Sequence, residues 1–365
     1  MRIAQIAPLY ERVPPLLYGG TERVVSYLTE ELVRQGHDVT LFASGDSITN
    51  ARLVPCSERA LRLDKRVVDP LAHHFVMLEK VFTHADEFDV VHFHIDYLHY
   101  PFSQREKDFC HVSTLHGLLD LPDLKPLYKM FNQVPVVSIS DAQRRPLSWA
   151  NWLGTVHHGL PPDLYQARNE PGDYLVFLGR VSVEKRLDRA IEIAKQTGMP
   201  LKVAAKIDNS DRKYFDKSIR PLLDDPLVDW IGEVGESGKQ DLLANAYALL
   251  FPIDWPEPFG LVLIEAMACG TPSIAYRCGS VPELVEEGVT GFVVDDLAGA
   301  VEAVGKVASL DRAACRRRFE ERFSVARMAE GYLNIYQRIL YPGSRSPSVA
   351  ATNGRSAGSL VSFSK

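Results

Sequence analysis

The chain has 365 residues, too long for one ordinary core and suited to two domains. Its charge is mixed and its formal net charge is -6, which excludes nucleic acid as a main partner, because that requires a strong basic excess. Five cysteines (Cys56, Cys110, Cys269, Cys278, Cys315) are scattered and form no Cys-x-x-Cys pair, which excludes a disulfide framework and a zinc ribbon and points to free thiols in a reducing cytosol.

No apolar run reaches the length of a membrane span, and Met1 to Pro8 reads as a strand entering a loop. A cytoplasmic location is expected. The basic clusters Arg144-Arg145 and Arg316 to Arg318 read more readily as solvated faces than as lipid sites, which leaves peripheral membrane contact open.

Strands and helices alternate, the pattern of parallel sheets covered by helices on both faces. Arg2 to Ala7 is the first expected strand. Gly19-Gly20 follows a loop, and a helix runs from Thr21 to about Gln35, closed by Gly36. His37 to Ala43 is a strand, Pro70 to Glu87 a long helix, and Asp89 to His94 and His111 to Leu115 are strands. Val134 to Ser140 and Thr155 to His158 complete the first sheet.

The polar stretch Gln166 to Asp173 contains Pro-Gly and is the expected linker. The pattern then restarts with a strand at Tyr174 to Leu178, a helix at Glu184 to Gln196 and a strand at Leu201 to Ile207. Val228 to Glu233, Ala248 to Ile253, Ser273 to Tyr276 and Gly291 to Val294 follow as strands. Two helices come next, and Val325 to Leu340 is the last strong helix. Residues 341–365 are rich in Ser, Gly and Ala, and disorder is expected there. Two doubly wound units place their ligand sites at the carboxyl ends of their strands, so the cleft between them is the expected site.

The stretch from Ala248 to Val294 organises the second unit. Pro258 holds Glu257 extended in the loop before a short helix, and Gly260 lets the backbone approach a ligand. The free amides of Phe259, Gly260 and Leu261 and the positive end of the helix favour phosphate. Glu257 and Glu265, eight residues apart, can accept hydrogen bonds from sugar hydroxyls on either side. In isolation, such a pair is more often two solvated glutamates on a strand-to-helix turn.

Gly19-Gly20, between a strand and a helix, has the form of a phosphate-cradling turn, though a plain turn accounts for it equally well. A Gly-x-Gly-x-x-Gly fingerprint is absent from every strand-to-helix junction, which argues against a nicotinamide dehydrogenase. Arg180 leaves a strand end and Lys185 stands near a helix start. A cation there opposes the helix dipole at a cost of about 0.3–1 kcal/mol unless an anion sits nearby, so the two point to a diphosphate clamp. A solvated surface pair is the competing account. Of eleven histidines, His116 is best placed for a cleft, at a strand end beside Gly117. No compact ligand set points to a metal.

Glu-Pro-Phe-Gly-(x)4-Glu-Ala-Met-Ala-Cys-Gly-Thr-Pro, holding Glu257 and Glu265, resembles the E-x7-E signature of glycosyltransferase family 4, the retaining nucleotide-sugar transferases of the GT-B fold. The resemblance extends to Leu340. It takes in Gly-Gly-Thr-Glu before the first helix, Leu115-His116-Gly117, Ser138-Ile139-Ser140, His158-Gly159-Leu160, Gly-Arg-(x)4-Lys and Gly279-Ser280-Val281-Pro282-Glu283 with Gly288-(x)2-Gly291.

The resemblance implies a role for each matching residue. Arg180 and Lys185 would hold the donor diphosphate, Glu265 the ribose, and Glu257 with the amides of Phe259, Gly260 and Leu261 the transferred sugar and phosphate. Gly19-Gly20 would bind donor, with Gly20 touching the diphosphate. His116 would reach the transferred sugar, and Gly232 and Val234 would lie by the base. It also implies retention without a metal and no cofactor beyond the nucleotide sugar. Where many members carry Asn-Gly, this chain has His158-Gly159, a departure expected to leave the donor motifs intact and to bear on the acceptor.

The expected architecture is α/β, two Rossmann-like domains facing a cleft. Residues 1–168 form the acceptor-side domain, 169–324 the donor domain, and the 325–340 helix packs back onto the first. The expected activity moves a hexose, with UDP-glucose favoured over GDP-mannose, to a glycan, a lipid-linked sugar or a small molecule. Leu16 to Tyr18, Arg52 to Arg66 and Tyr97 to Tyr100 are the candidate acceptor wall. The alternatives are a nucleotide-sugar epimerase or hydrolase of the same fold and a non-catalytic nucleotide-sugar-binding protein.

Overall fold

A computed structural model describes residues 1–17, 19–106 and 109–342. Seven strands form the first sheet: β1 (Arg2–Ile6), β2 (Asp38–Ser44), β3 (Arg52–Ser57), β4 (Val90–Phe93), β5 (His111–Thr114), β6 (Val136–Ser138) and β7 (Trp152–Thr155). Six form the second: β8 (Leu175–Arg180), β9 (Leu201–Lys206), β10 (Val228–Gly232), β11 (Ala248–Phe251), β12 (Ser273–Tyr276) and β13 (Gly291–Val294). All recorded pairings are parallel, in the orders β3-β2-β1-β4-β5-β6-β7 and β10-β9-β8-β11-β12-β13. Strands such as Ala248–Phe251 and Ser273–Tyr276 are buried along their whole length, as helices on both faces require.

Strand order reverses between β1 and β4 in the first sheet and between β8 and β11 in the second. A crevice opens at the carboxyl ends of such neighbours, where a ligand can approach main-chain amides. Both crevices line the interdomain cleft, so the loops after β1, β4, β8 and β11 meet there.

The last helix, Val325–Leu340, buries Val325, Met328, Ala329, Tyr332, Ile335 and Tyr336, one face at helical spacing. That face packs with Val24, Leu28 and Leu32 of the first helix (Gly20–Arg34) and with residues of the first sheet. The end of the chain thus completes the core of the beginning. Leu160 bridges Ser324 where the two crossings between domains run side by side. A Cβ on Gly159 would lie 2.4 Å from the Ser324 carbonyl oxygen, so only glycine allows this approach.

Several boundaries differ from those expected. The strand placed at Thr155 to His158 is Trp152–Thr155, because Trp152 pairs with Val136 and the chain then leaves the sheet to cross over. The helix expected from Pro70 to Glu87 ends at Thr83 and is followed by a 3-10 turn. The helix expected from Glu184 is interrupted: Arg186 takes a left-handed φ of 53°, separating a 3-10 turn at Val183–Lys185 from the helix Leu187–Thr197. The edge strand β3 and the helix Leu124–Met130 were not expected. The disorder expected for 341–365 lies, from residue 343 onward, outside the described residues.

Candidate functional site

The cleft between the domains encloses about 690 Å³ and is lined by Gly19, Gly20, His116, Arg180, Lys185, Val234, Glu257, Phe259, Gly260, Leu261 and Glu265. Gly232 does not line it. Its left-handed φ of 86° turns the chain so that Glu233 and Val234 do.

Two helix starts converge on the cleft. A Cβ on Gly20, the first residue of the first helix, would lie 3.5 Å from Leu261, the first residue of the helix Leu261–Ala268. Neither helix has a side-chain cap at its N-terminus, so the amides there keep their affinity for an anion. Gly260, at φ 90°, brings its backbone against Phe251 with no room for a longer side chain.

The Glu257 loop is held from behind. A Cβ on Gly279 would fall 2.4 Å from both the Glu257 nitrogen and oxygen, the Ser280 N–H donates to the Glu257 carbonyl (3.0 Å), and Ser280 Oγ donates to the Phe259 carbonyl (2.6 Å). The Glu257 carboxylate bonds the Lys185 ammonium and accepts from Trp255 Nε1–H (2.8 Å). The ammonium also lies 5.1 Å from the centre of the Trp255 ring. Arg180 pairs with Glu184 at 2.5 Å and lies 3.7 Å from Asp208 and Asp211. The anion that the Arg180–Lys185 argument called for is therefore supplied, in this structure, by the protein's own carboxylates.

Glu265 is buried and accepts from Lys239 Nζ (2.7 Å). Beside it, Glu236 bonds the Arg23 guanidinium, which comes from the first domain, and the Tyr165 hydroxyl. Burial pushes the Tyr27 hydroxyl well above its ordinary range, with the Glu236 charge adding to it.

His116 hydrogen-bonds into the first domain, with Nε2 2.9 Å from His94 Nδ1, and burial pushes its imidazole down to about 3. Its ring faces that of His158 at 5.3 Å, and His158 meets the edge of Phe259 at 4.7 Å. His158 therefore touches the loop that carries Glu257, because the crossover brings residue 158 against Phe259.

Asp96, Lys206, Lys239 and Arg23 also line the cleft and escaped the sequence argument. Asp96 has a left-handed φ of 50°, uncommon for a residue with a side chain. It is exposed to the open cleft, while the protein walls around it desolvate its carboxyl in part. Burial pushes its carboxyl up to about 6, with the His116 amide pulling the other way. Its position just beyond β4, beside the strand-order reversal, was the available signal. Of the expected acceptor segments, Leu17, Arg62, Tyr97 and Leu98 line the cleft, Tyr18 lies outside the described residues, Arg52–Ser57 is the edge strand, and Tyr100 is buried.

Comparison with known proteins agrees with this geometry. A family model described as glycosyl transferases group 1 matches residues 165–321, and one described as glycosyltransferase family 4 matches residues 18–153. An uncharacterized glycosyltransferase of Methanocaldococcus jannaschii is 24% identical over 359 residues, covering 83% of this chain and 89% of that one. The N-acetyl-alpha-D-glucosaminyl L-malate synthase of Bacillus anthracis is 37% identical over a shorter stretch of 114 residues, 28% of this chain and 30% of that one.

Among solved structures, AviGT4, a glycosyltransferase involved in avilamycin A biosynthesis, superposes with a TM-score of 0.73 at 27% identity, covering 94% of this chain and 99% of that one. HepE of Anabaena shares the fold at a TM-score of 0.70 and 19% identity, covering 92% and 98%. The two matched models fall one on each domain, and the chain belongs to the family 4 glycosyltransferases, hexosyltransferase enzymes of the GT-B fold.

Proposed function

We propose that the protein transfers a hexose from a nucleotide-diphosphate sugar to a hydroxyl acceptor with retention of configuration, without a metal or other cofactor, in the cytoplasm. UDP-glucose is the favoured donor and GDP-mannose the second. A glycan, a lipid-linked sugar or a small molecule serves as acceptor. The observation that carries this reading is the Lys185–Glu257 pair beside two uncapped helix starts. It gathers fixed cations and amides of the kind that stabilise the charge a departing diphosphate develops, which supports this reading.

In this reading Arg180, Lys185 and the amides of Gly20, Phe259, Gly260 and Leu261 bind the diphosphate. Glu265 takes the ribose, and Glu233 and Val234 lie by the base. Glu257 accepts from hydroxyls of the transferred sugar. Its carboxylate is already engaged by Lys185 and Trp255, which supports that role over a free nucleophile and favours same-face attack through a short-lived ion pair. Closure of the two domains over a bound donor excludes water, which protects the donor from hydrolysis.

The choice of UDP-glucose draws support from HepE, which has been solved with UDP and glucose and with UDP-glucose. Among the described residues no helix is long and apolar enough to cross a membrane. Peripheral membrane contact remains compatible with a lipid-linked acceptor.

Thermal-shift binding against UDP, GDP, ADP and their sugars, with and without EDTA, tests the proposal. Stabilisation by one nucleotide class that EDTA leaves unchanged supports it. A folded protein that no nucleotide stabilises overturns it.

A further inference from the structure

A chain of buried hydrogen bonds runs from His116 at the cleft to the helix Val325–Leu340. His116 Nε2 meets His94 Nδ1 at 2.9 Å, and His94 Nε2 meets Gln5 Oε1 at 2.8 Å. Gln5 Nε2 donates to the Tyr336 hydroxyl (3.2 Å), which lies 2.7 Å from His92 Nδ1. His92 Nε2 meets Thr114 Oγ1 at 2.7 Å, and Thr114 Oγ1 donates to the Tyr332 hydroxyl at 2.9 Å. Gln5, His92, His94, Thr114, Tyr332 and Tyr336 are all buried.

The orientation of the Gln5 amide, with Oε1 toward His94 and Nε2 toward Tyr336, sets the direction of the chain. The Gln5 carbonyl oxygen only accepts, so His94 Nε2 carries its hydrogen. A neutral imidazole has one N–H, so His94 Nδ1 is a lone pair and His116 Nε2 must donate to it. On the other side, the Tyr336 hydroxyl accepts from Gln5 and gives its own hydrogen to His92 Nδ1, which leaves His92 Nε2 to donate to Thr114. Burial holds His92 and His94 well below the usual imidazole range, which keeps both neutral as this requires. His116 Nδ1 has no partner among the described residues and is not among the sealed, unpartnered buried atoms, so it opens onto the cleft that His116 lines.

We infer that Gln5 and Tyr336 are positioning residues which, through His94, hold His116 as the Nε2–H tautomer and leave Nδ1 facing the transferred sugar as a hydrogen-bond acceptor. The inference rests on the proposed placement of that sugar beside His116. A lone pair at Nδ1 takes a hydroxyl hydrogen and repels a phosphate oxygen, so the ring separates the sugar end of the donor from its diphosphate end. The helix Val325–Leu340 thereby reaches the site through buried side chains on and beside β1 and β4.

Nuclear magnetic resonance of the full chain with isotope-labelled histidine tests this, because protonated and bare ring nitrogens resonate apart. The wild-type protein is expected to show His116 protonated at Nε2 and bare at Nδ1. Tyr336→Phe frees the Gln5 amide to turn over. His116 is then expected to become a mixture of tautomers, and hydrolysis of UDP-glucose to fall by about tenfold while the affinity for UDP alone holds. Tyr332→Phe removes a hydroxyl from the same helix and the same core, but at the far end of the relay, and is expected to leave the His116 tautomer unchanged.

A wild-type His116 protonated at Nδ1 overturns the inference without any variant. So does an equal effect of the two tyrosine variants, or a changed tautomer with unchanged turnover. If the wild-type chain holds the expected tautomer yet neither binds UDP nor hydrolyses UDP-glucose, the failure falls on the proposed function, and with it the sugar-facing role of the relay.

Discussion

Glu283 of the second domain accepts hydrogen bonds from the main-chain N–H groups of Asp141 and Ala142 in the first, each at 2.7 Å. Burial alone raises a carboxyl, but the nearby His157 and these two amides outweigh it, and Glu283 is held below the usual carboxylate range. A lowered pKa in the folded state means that the contribution is present above the unfolded value of about 4.3 and is lost as pH falls through the folded one. Glu283→Gln is expected to weaken the contact between domains by about 1.5–3 kcal/mol, because an amide hydrogen then faces an amide hydrogen. Scattering and thermal unfolding at neutral pH would show a looser pair of domains in the variant, and the wild type would approach it as acid protonates Glu283, below the ordinary carboxylate range. Identical profiles at both pH values would dismiss Glu283 as a domain contact.

The sequence made the sheets legible because Ala248–Phe251 and Ser273–Tyr276 are apolar along their whole length and bounded by turns. The site was legible where chemistry and spacing coincide in one stretch, as with Glu257 and Glu265. It was not legible where a contact depends on the approach of distant segments. Glu257 faces Lys185 only because β8 and β11, far apart in sequence, lie side by side in the second sheet, and His158 reaches Phe259 only because the chain crosses between the domains. Asp96 escaped for a related reason, since its left-handed backbone and desolvation arise from the walls around it. The break at Arg186 went unseen because Glu184 to Gln196 has helical periodicity throughout, while a local pair with Asp188 and a tertiary one with Asp254 hold Arg186 in a different backbone conformation.

Lys185 and Glu257 make opposite demands on a bound donor. If Lys185 clamps the diphosphate as proposed, Lys185→Ala removes charge stabilisation from the leaving group, and turnover is expected to fall at least ~100-fold while the fold survives. Glu257→Gln keeps the shape but frees Lys185, so the affinity for the bare nucleoside diphosphate is expected to rise as transfer falls. Kinetics and nucleotide titration of the two variants side by side check this. Unchanged turnover in Lys185→Ala would refute the clamp.

Gly279 carries the Glu257 loop on its back. At φ 56°, with Glu257 backbone atoms 2.4 Å from any added Cβ, Gly279→Ala must shift the loop. The strain is of order 1–3 kcal/mol and appears in thermal unfolding. The loss of sugar transfer is expected to exceed the loss of nucleotide affinity, because the displaced loop carries Glu257 rather than Glu265. A variant that melts lower but retains full turnover would show that the loop tolerates the shift.

Asp96 makes the folded protein sensitive in the opposite direction to Glu283. Its carboxyl is raised to about 6 by desolvation, so the folded state holds its proton more tightly than the unfolded chain does. Stability is therefore lost as pH rises from the unfolded value of about 3.9 through about 6, and the cost is fully present above that. Asp96→Asn cannot ionise and is expected to melt higher than wild type at pH 8 and to match it near pH 4. A raised carboxyl that faces an open cleft is also an acid or base poised near neutrality, which is where functional groups gather. The same substitution is therefore expected to lower transfer while leaving UDP binding intact, since Asp96 lies on the first-domain wall by His116. A variant that gains stability at high pH and keeps full transfer would assign Asp96 to strain alone.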